Sequence, residues 1–132
     1  MRDLVTRFRE QAAGCRSYGS ALTGALLEGA ADDLEQGGVV ADLMGPHADD
    51  PGGSVPALRL AGSLHRLVLQ GRAPDLAAHY PSVGGTADVE QVWAPARATV
   101  VEHLDELRAL VRRTVQTNEV GRSAVLMGVL QL

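Results

Sequence analysis

The residues most suited to binding or catalysis are found in residues 116–122, a polar stretch between two apolar runs of the sequence. Five of its side chains can donate or accept hydrogen bonds, namely Gln116, Thr117, Asn118, Glu119 and Arg122. Thr117 or Asn118 could cap a last helix, with Glu119 in its first turn. Capping does not explain Gln116 and Arg122, so the stretch is also a candidate binding site.

Glu119 and Arg122 are three residues apart, which makes them neighbours if this segment is helical. An exposed ion pair of this kind contributes little to stability. If the ion pair between Glu119 and Arg122 is buried, it would instead hold both side chains in fixed positions. The sequence leaves both interpretations open.

His65 is the second candidate for a catalytic role, after Glu119. It lies in a predicted helix over residues 55–70, whose polar residues fall on one narrow stripe: Arg59, Ser63, Arg66 and Gln70. The other positions are almost all apolar, which predicts a central helix. His65 projects away from the polar stripe. It is either a neutral core histidine bonded to a carbonyl, or a general base or polar hook at the floor of a pocket.

Two other groups of residues raise the question of a bound cation. The loop over residues 45–53 could in principle hold a metal through His47, Asp49 and Asp50, although no motif supports this. Acidic side chains crowd the end of a predicted helix over residues 21–36, where the helix dipole disfavours them: Asp32, Asp33 and Glu35. A mobile surface loop is the better interpretation of the first group, and a solvated surface is the better interpretation of the second.

No metal site is expected among the remaining histidines, because their spacings match no standard ligand pattern: His65, His79 and His103.

Helical spacing of apolar residues predicts the elements that must position these groups. It indicates helices over residues 3–16, 21–36 and 55–70, and a short one over residues 73–80. No segment shows the alternation of a strand.

The longest predicted helix begins at a Thr86 cap and continues past Pro95, which kinks it, to Arg112 and Arg113. We therefore predict an all-α fold, a compact bundle of five to six helices without a sheet. Residues 1–132 should form a single helical domain.

Composition limits the classes of protein to which the chain can belong. Apolar residues make up 45% and charged residues 21%, which is typical of a globular chain. The net charge of −4 and the lack of lysine argue against nucleic-acid binding. No signal peptide or apolar run long enough to cross a membrane is present. With Cys15 as the one cysteine, no internal disulfide can form, which predicts a cytoplasmic protein.

Several stretches together carry a family resemblance. The two long ones are LHRLVLQGRAP at residues 64–74 and QTNEVGR at residues 116–122, and YPS at residues 80–82 is a shorter one. With Cys15-Arg16 and the nearby Ser20-Ala21-Leu22, they resemble the bacterial family known as domain of unknown function 2332. The resemblance covers essentially the whole chain, and the two long motifs together are specific.

The resemblance implies that this chain is the N-terminal helical part of a longer protein. In the family, the region that follows resembles a class I, Rossmann-like methyltransferase domain, which this chain lacks. The helical part would then cover that domain, and residues 116–122 would face its cofactor crevice. The chain alone would hold no cofactor and have no activity, whereas the full-length protein would bind S-adenosylmethionine.

The same resemblance suggests roles for the candidate residues. Glu119 would act as an acid or base or anchor a substrate, with His65 behind it. Arg122 would pair with Glu119 or with an anionic substrate. The polar groups of a substrate would bind to Gln116, Thr117 and Asn118.

The alternative function is a non-catalytic helical module for interaction or oligomerisation. The apolar residues 124–132 would then pack against a second copy of the chain. If the chain instead covers a methyltransferase-like domain, residues 124–132 would contact that missing C-terminal domain.

Overall fold

The computed structural model describes residues 1–51 and 54–116, with side chains as far as Arg112. These residues form helices and turns and no strand, which confirms the predicted all-α class. The described residues contain seven α-helices, against the five to six predicted: α1 Arg2–Ser17, α2 Ala21–Glu35, α3 Val39–Met44, α4 Pro56–Leu69, α5 Pro74–Ala77, α6 Trp93–Glu102 and α7 Leu104–Gln116. Short 3₁₀ turns cover Gly45–His47 and Pro81–Val83. Within the described residues, no helix combines the length and the apolar character that a membrane crossing requires.

Helices α1 and α2 form a closely packed antiparallel pair. The apolar stripe of α1 is buried, with Phe8 and Cys15 fully inaccessible. A Cβ atom on Gly24 of α2 would lie 2.6 Å from Cγ of Arg16 and 3.1 Å from the carbonyl oxygen of Ala12. The missing side chain therefore lets the two helices approach closely. Burial raises the pKa of the Cys15 thiol, as expected for a packed core cysteine.

Helix α4 is the central helix, as predicted. Ten of its 14 residues are buried, and it packs against α1, α2, α5, α6 and α7. The prediction of one polar stripe along it is only half right. Arg66 and Gln70 are exposed, but Arg59 and Ser63 are 1% and 5% exposed. The buried hydroxyl of Ser63 is satisfied within α4, because it donates a hydrogen bond to the Arg59 carbonyl at 2.7 Å.

The single long helix predicted from Thr86 is wrong at both its start and its middle. The Thr86 N–H is bonded to the Ala78 carbonyl at 2.9 Å, and the helical conformation begins only at Trp93. Pro95 therefore lies in the first turn of α6, where its missing N–H is not needed, and it produces no kink.

A second difference from the prediction is a break at His103, where φ is −112° and ψ is 27°. The His103 carbonyl then accepts the Leu107 N–H at 2.8 Å and starts α7. The break occupies one residue, and apolar residues recur at helical spacing on both sides of it. Periodicity could not reveal it for that reason.

The acidic end of α2 has two separate structural roles. Arg9 of α1 lies 3.0 Å from Asp32 and 3.3 Å from Glu35, and both acids are exposed, in agreement with a solvated surface. Asp33 is different, because it is 8% exposed. One of its oxygens accepts the Val40 N–H at 2.8 Å and the other accepts Arg97 Nε at 3.0 Å. Asp33 thus caps the start of α3, where the helix dipole favours a negative charge.

Candidate functional site

His65 meets two residues from the turn that follows α5. Its ring stacks on Tyr80 with a centroid distance of 5.4 Å and an interplanar angle of 27°. Its Nε2 atom lies 3.2 Å from the hydroxyl oxygen of Ser82. His65 is half-buried, Tyr80 is fully buried and Ser82 is exposed. The arrangement presents one polar edge of the imidazole at the surface and fixes the plane of its ring.

The turn that carries Ser82 is held by backbone bonds. The Tyr80 carbonyl accepts the N–H groups of Val83 and Gly85, at 3.1 and 2.9 Å. Gly84 has φ of +87°, which favours glycine. A Cβ on Gly85 would lie 2.5 Å from the carbonyl oxygens of Ala77 and Ala78, so only glycine fits there. The turn packs directly on the end of α5, which places Ser82 beside α4.

Burial sets the charge state of the histidine. It lowers the pKa of His65 and raises that of Tyr80, since a buried group resists becoming charged. The hydroxyl of Tyr80 is buried without a hydrogen-bond partner among the described residues. His65 is therefore a neutral base near pH 7 that can accept a proton or a hydrogen bond. Its described hydrogen-bond contact is with a side-chain hydroxyl and not with a backbone carbonyl, which differs from the core histidine considered above.

The lowered pKa of His65 predicts a pH dependence of stability. Because the unfolded chain binds a proton on this residue more readily than the folded one, stability should fall as pH drops below the unfolded pKa of about 6.5. At pH values well above about 6.5, His65 should make no pH-dependent contribution to the stability of the fold. His65→Gln removes the titration and keeps a polar group near Ser82. As the pH is lowered from 8 to 5.5, we expect the melting temperature of wild type to fall more than that of the variant. A constant difference across that range would contradict the prediction.

The sequence of this chain matches, over residues 5–132, the family described as an uncharacterised protein conserved in bacteria, DUF2332. The chain belongs to this family. No curated protein and no solved structure is significantly similar to it. In this DUF2332 chain, two separate motif stretches meet at the site just described, because His65 comes from one and Tyr80 and Ser82 come from the other.

The candidates in the polar stretch are not brought to this site by any described contact. Thr117, Asn118, Glu119 and Arg122 lie outside the described residues. Gln116 is the last residue of α7, and its side chain is likewise outside the described part.

His103 lies at a different place, beside a cavity of about 420 Å³ between the ends of α6 and α7. Its Nδ1 atom is 3.7 Å from Glu106, and Glu106 forms an ion pair with Arg72. Among the described residues, no group of three histidine, cysteine or acidic side chains could hold a metal ion. His65, His79 and His103 therefore do not come together as the ligands of one metal site in this DUF2332 structure.

A buried charge cluster in this DUF2332 chain was missed by the sequence argument. The side chain of Arg59 is 0% exposed, and its Nη2 donates to Asp50 at 2.8 Å. His47 Nδ1 lies 2.9 Å from the same carboxylate oxygen. The loop over residues 45–51 is thus tied to α4 by an ion pair. The loop is therefore held against α4, in contrast to the mobile surface loop that the sequence favours, and the position of Arg59 among polar neighbours gives no sign of this contact.

Proposed function

We propose that this chain is the helical part of a larger bacterial protein, where it covers a methyltransferase-like domain and contributes polar side chains to a bound substrate. The observation that carries the proposal is the cluster of His65, Tyr80 and Ser82. It joins two separate motif stretches, residues 64–74 and 80–82, at a partly exposed surface, and it offers a neutral base to a ligand. A core role would explain Tyr80 but would not require the exposed Ser82 beside the imidazole.

S-adenosylmethionine does not fit the described part of the chain. Methyltransferase-like domains bind it at the glycine-rich turn between a strand and a helix. Residues 1–51 and 54–116 contain no strand, so they provide no such turn. Any binding of this cofactor would come from the covered domain, and the helical part would act on the substrate side.

The polar stretch after α7 completes the proposal. Glu119 serves as an acid, base or anchoring carboxylate, and Arg122 pairs with it or with an anionic substrate. Polar groups of the substrate contact Gln116, Thr117 and Asn118. A cytoplasmic location suits a chain whose one cysteine is buried and unpaired.

Calorimetry tests the proposal directly. The full-length protein should bind S-adenosylmethionine, and residues 1–132 alone should not. The absence of heat at millimolar ligand with the full-length protein would contradict the covering role.

Glu119→Gln separates a functional from a structural polar stretch. If Glu119 serves a substrate, the variant of the full-length protein should melt within about 1 °C of wild type and should bind that substrate at least about tenfold more weakly, the loss expected for a charged hydrogen bond, while its affinity for S-adenosylmethionine stays the same. A fall in melting temperature of several degrees would mean a structural role instead. Glu102→Gln, which changes an exposed residue of α6, is the matched control and should alter neither quantity.

A second candidate is a non-catalytic interaction or oligomerisation module. It is favoured by the apolar composition of residues 124–132, which end VLQL, because such a segment gains stability by packing against a second copy. Light scattering should then show a dimer that Leu126→Asp abolishes. A strict monomer would rule against this candidate.

A further inference from the structure

Ser82 has the surroundings of a nucleophile. Its hydroxyl oxygen lies 3.2 Å from Nε2 of His65, within the range in which a base can take a hydroxyl proton. The residue is exposed, so a reagent can reach it without any opening of the fold. The backbone N–H of Ser82 has no acceptor among the described residues. It is therefore free to donate a hydrogen bond to a bound molecule.

We propose that Ser82 is an acyl-accepting nucleophile with His65 as its general base, and that this pair hydrolyses small activated esters. The activity uses only residues of this chain. It is independent of the covering role and of S-adenosylmethionine, so either proposal can fail while the other stands.

The geometry around the pair holds it ready for this chemistry. Stacking on the buried Tyr80 ring limits rotation of the imidazole. The bonds from Val83 and Gly85 to the Tyr80 carbonyl fix the turn on the other side. Both reacting atoms are thus placed by buried or hydrogen-bonded elements, which lowers the entropy lost on reaching the transition state.

The acylation step balances with these groups alone. The Ser82 oxygen attacks the carbonyl carbon of the ester while its proton passes to Nε2 of His65. The carbonyl electron pair moves onto its oxygen, which accepts a hydrogen bond from the Ser82 N–H. As the tetrahedral species collapses, the bond to the alcohol oxygen breaks, and the departing alcohol takes the proton from the imidazolium. Ser82 is left as an acyl ester.

Hydrolysis repeats the sequence with water. The oxygen of a water molecule attacks the acyl carbon while His65 takes a proton from that water. The bond to Ser82 breaks, the serine oxygen recovers the proton from His65, and the carboxylic acid leaves. No oxidant, metal or second substrate is needed.

The same geometry limits the substrates. No carboxylate among the described residues bonds the other imidazole nitrogen of His65, and the Ser82 N–H is the oxyanion donor on which the proposed step relies. The described residues therefore supply this pair with no third member of a serine hydrolase triad. Esters with a good leaving group and a small acyl part are therefore the expected class.

The test is the reaction of the full 132-residue chain with p-nitrophenyl acetate. We expect a burst of p-nitrophenolate of about one equivalent per chain, and one acetyl group that peptide mass spectrometry maps to Ser82. Ser82→Ala should abolish the burst. His65→Gln should lower the initial rate by about 100-fold or more, the usual contribution of a general base.

Ser17→Ala is the matched control, because Ser17 is exposed at the end of α1 and has no histidine partner among the described residues. It should react like wild type, and circular dichroism should show all three variants folded. A burst that survives Ser82→Ala would overturn the proposal, as would acetyl groups that map to other residues and not to Ser82. If both active-site variants lost their fold, the map of acetyl groups on the wild-type chain would decide alone.

Discussion

Replacing Asp50 by Ala should destabilise the protein by about 3–5 kcal/mol, the loss expected when one partner of a buried ion pair is removed. The reason is the position of Arg59. Its side chain is 0% exposed and has Asp50 as its ion-pair partner. Its Nε and Nη1 atoms already have no hydrogen-bond partner among the described residues. Without Asp50 the guanidinium would be a buried charge with no compensation.

The opposite replacement should be much milder. Asp50 is 26% exposed, so without Arg59 its carboxylate can be hydrated and still contact His47. Arg59→Met removes the buried charge and keeps a long apolar stem, so the cost of an uncompensated buried charge does not arise. We expect it to lose less than half as much stability as Asp50→Ala. Urea denaturation of both variants measures the two values, and equal losses would contradict the assignment of Arg59 as the buried member.

The ion pair also predicts behaviour in acid. Burial alone would raise the pKa of Asp50, but the hydrogen bonds from Arg59 and His47 outweigh it and lower the pKa. The carboxylate therefore stabilises the fold at pH values above its unfolded pKa of about 3.9, and this contribution is lost as pH falls through the folded value. In Arg59→Met that part of the acid transition should move to higher pH.

Asp33→Ala should also destabilise the protein clearly. It leaves the Val40 N–H buried without its acceptor and removes the capping charge at the start of α3. An unsatisfied buried donor costs about 1–3 kcal/mol. In a domain of this size, that corresponds to a fall in melting temperature of about 3–15 °C.

The control for this prediction is Asp33→Asn. Its amide oxygen can still accept the Val40 N–H, and the contact it loses is with Arg97, whose side chain is 48% exposed and therefore contributes little. Calorimetry should show at most a third of the loss found for Asp33→Ala. If Asn and Ala were equally harmful, the ion pair and not the cap would be the stabilising contact.

Asp33 also shows why sequence reasoning failed at some positions and succeeded at others. Dipole reasoning applied to α2 alone marks an acid at this position as misplaced. The turn at Gly37 and Gly38 brings the start of α3 back to the same carboxylate, and a Cβ on Gly38 would lie 2.3 Å from it. A contact between two elements decides the role of the residue, and no single-helix pattern contains it.

The other failures and successes have the same cause. Apolar spacing predicted the helices α1, α2 and α4 well, because burial of one face produces that spacing directly. The pattern places Arg59 on an exposed polar stripe, because it assigns charged residues to the surface. Its partner Asp50 comes from a loop, which has no periodicity to read.

The candidate site was predictable in one of its parts. His65 was identified because it is a polar residue on an apolar side of a central helix. Its partner Ser82 is 17 residues away, beyond α5 and in an irregular turn. Its place depends on how Gly85 fits against the carbonyls of α5, which spacing alone cannot show.

The break at His103 has a geometric consequence for everything that follows α7. A helix of 13 residues is about 20 Å long at 1.5 Å per residue, so a rotation of about 10° at its first residue displaces its far end by roughly 3 Å. The direction of α7 is set by its packing against α4 and by the bond from Arg108 to the Asp42 carbonyl. Buried residues of α7, such as Leu107, thereby help to determine the point in space from which the chain beyond Gln116 departs.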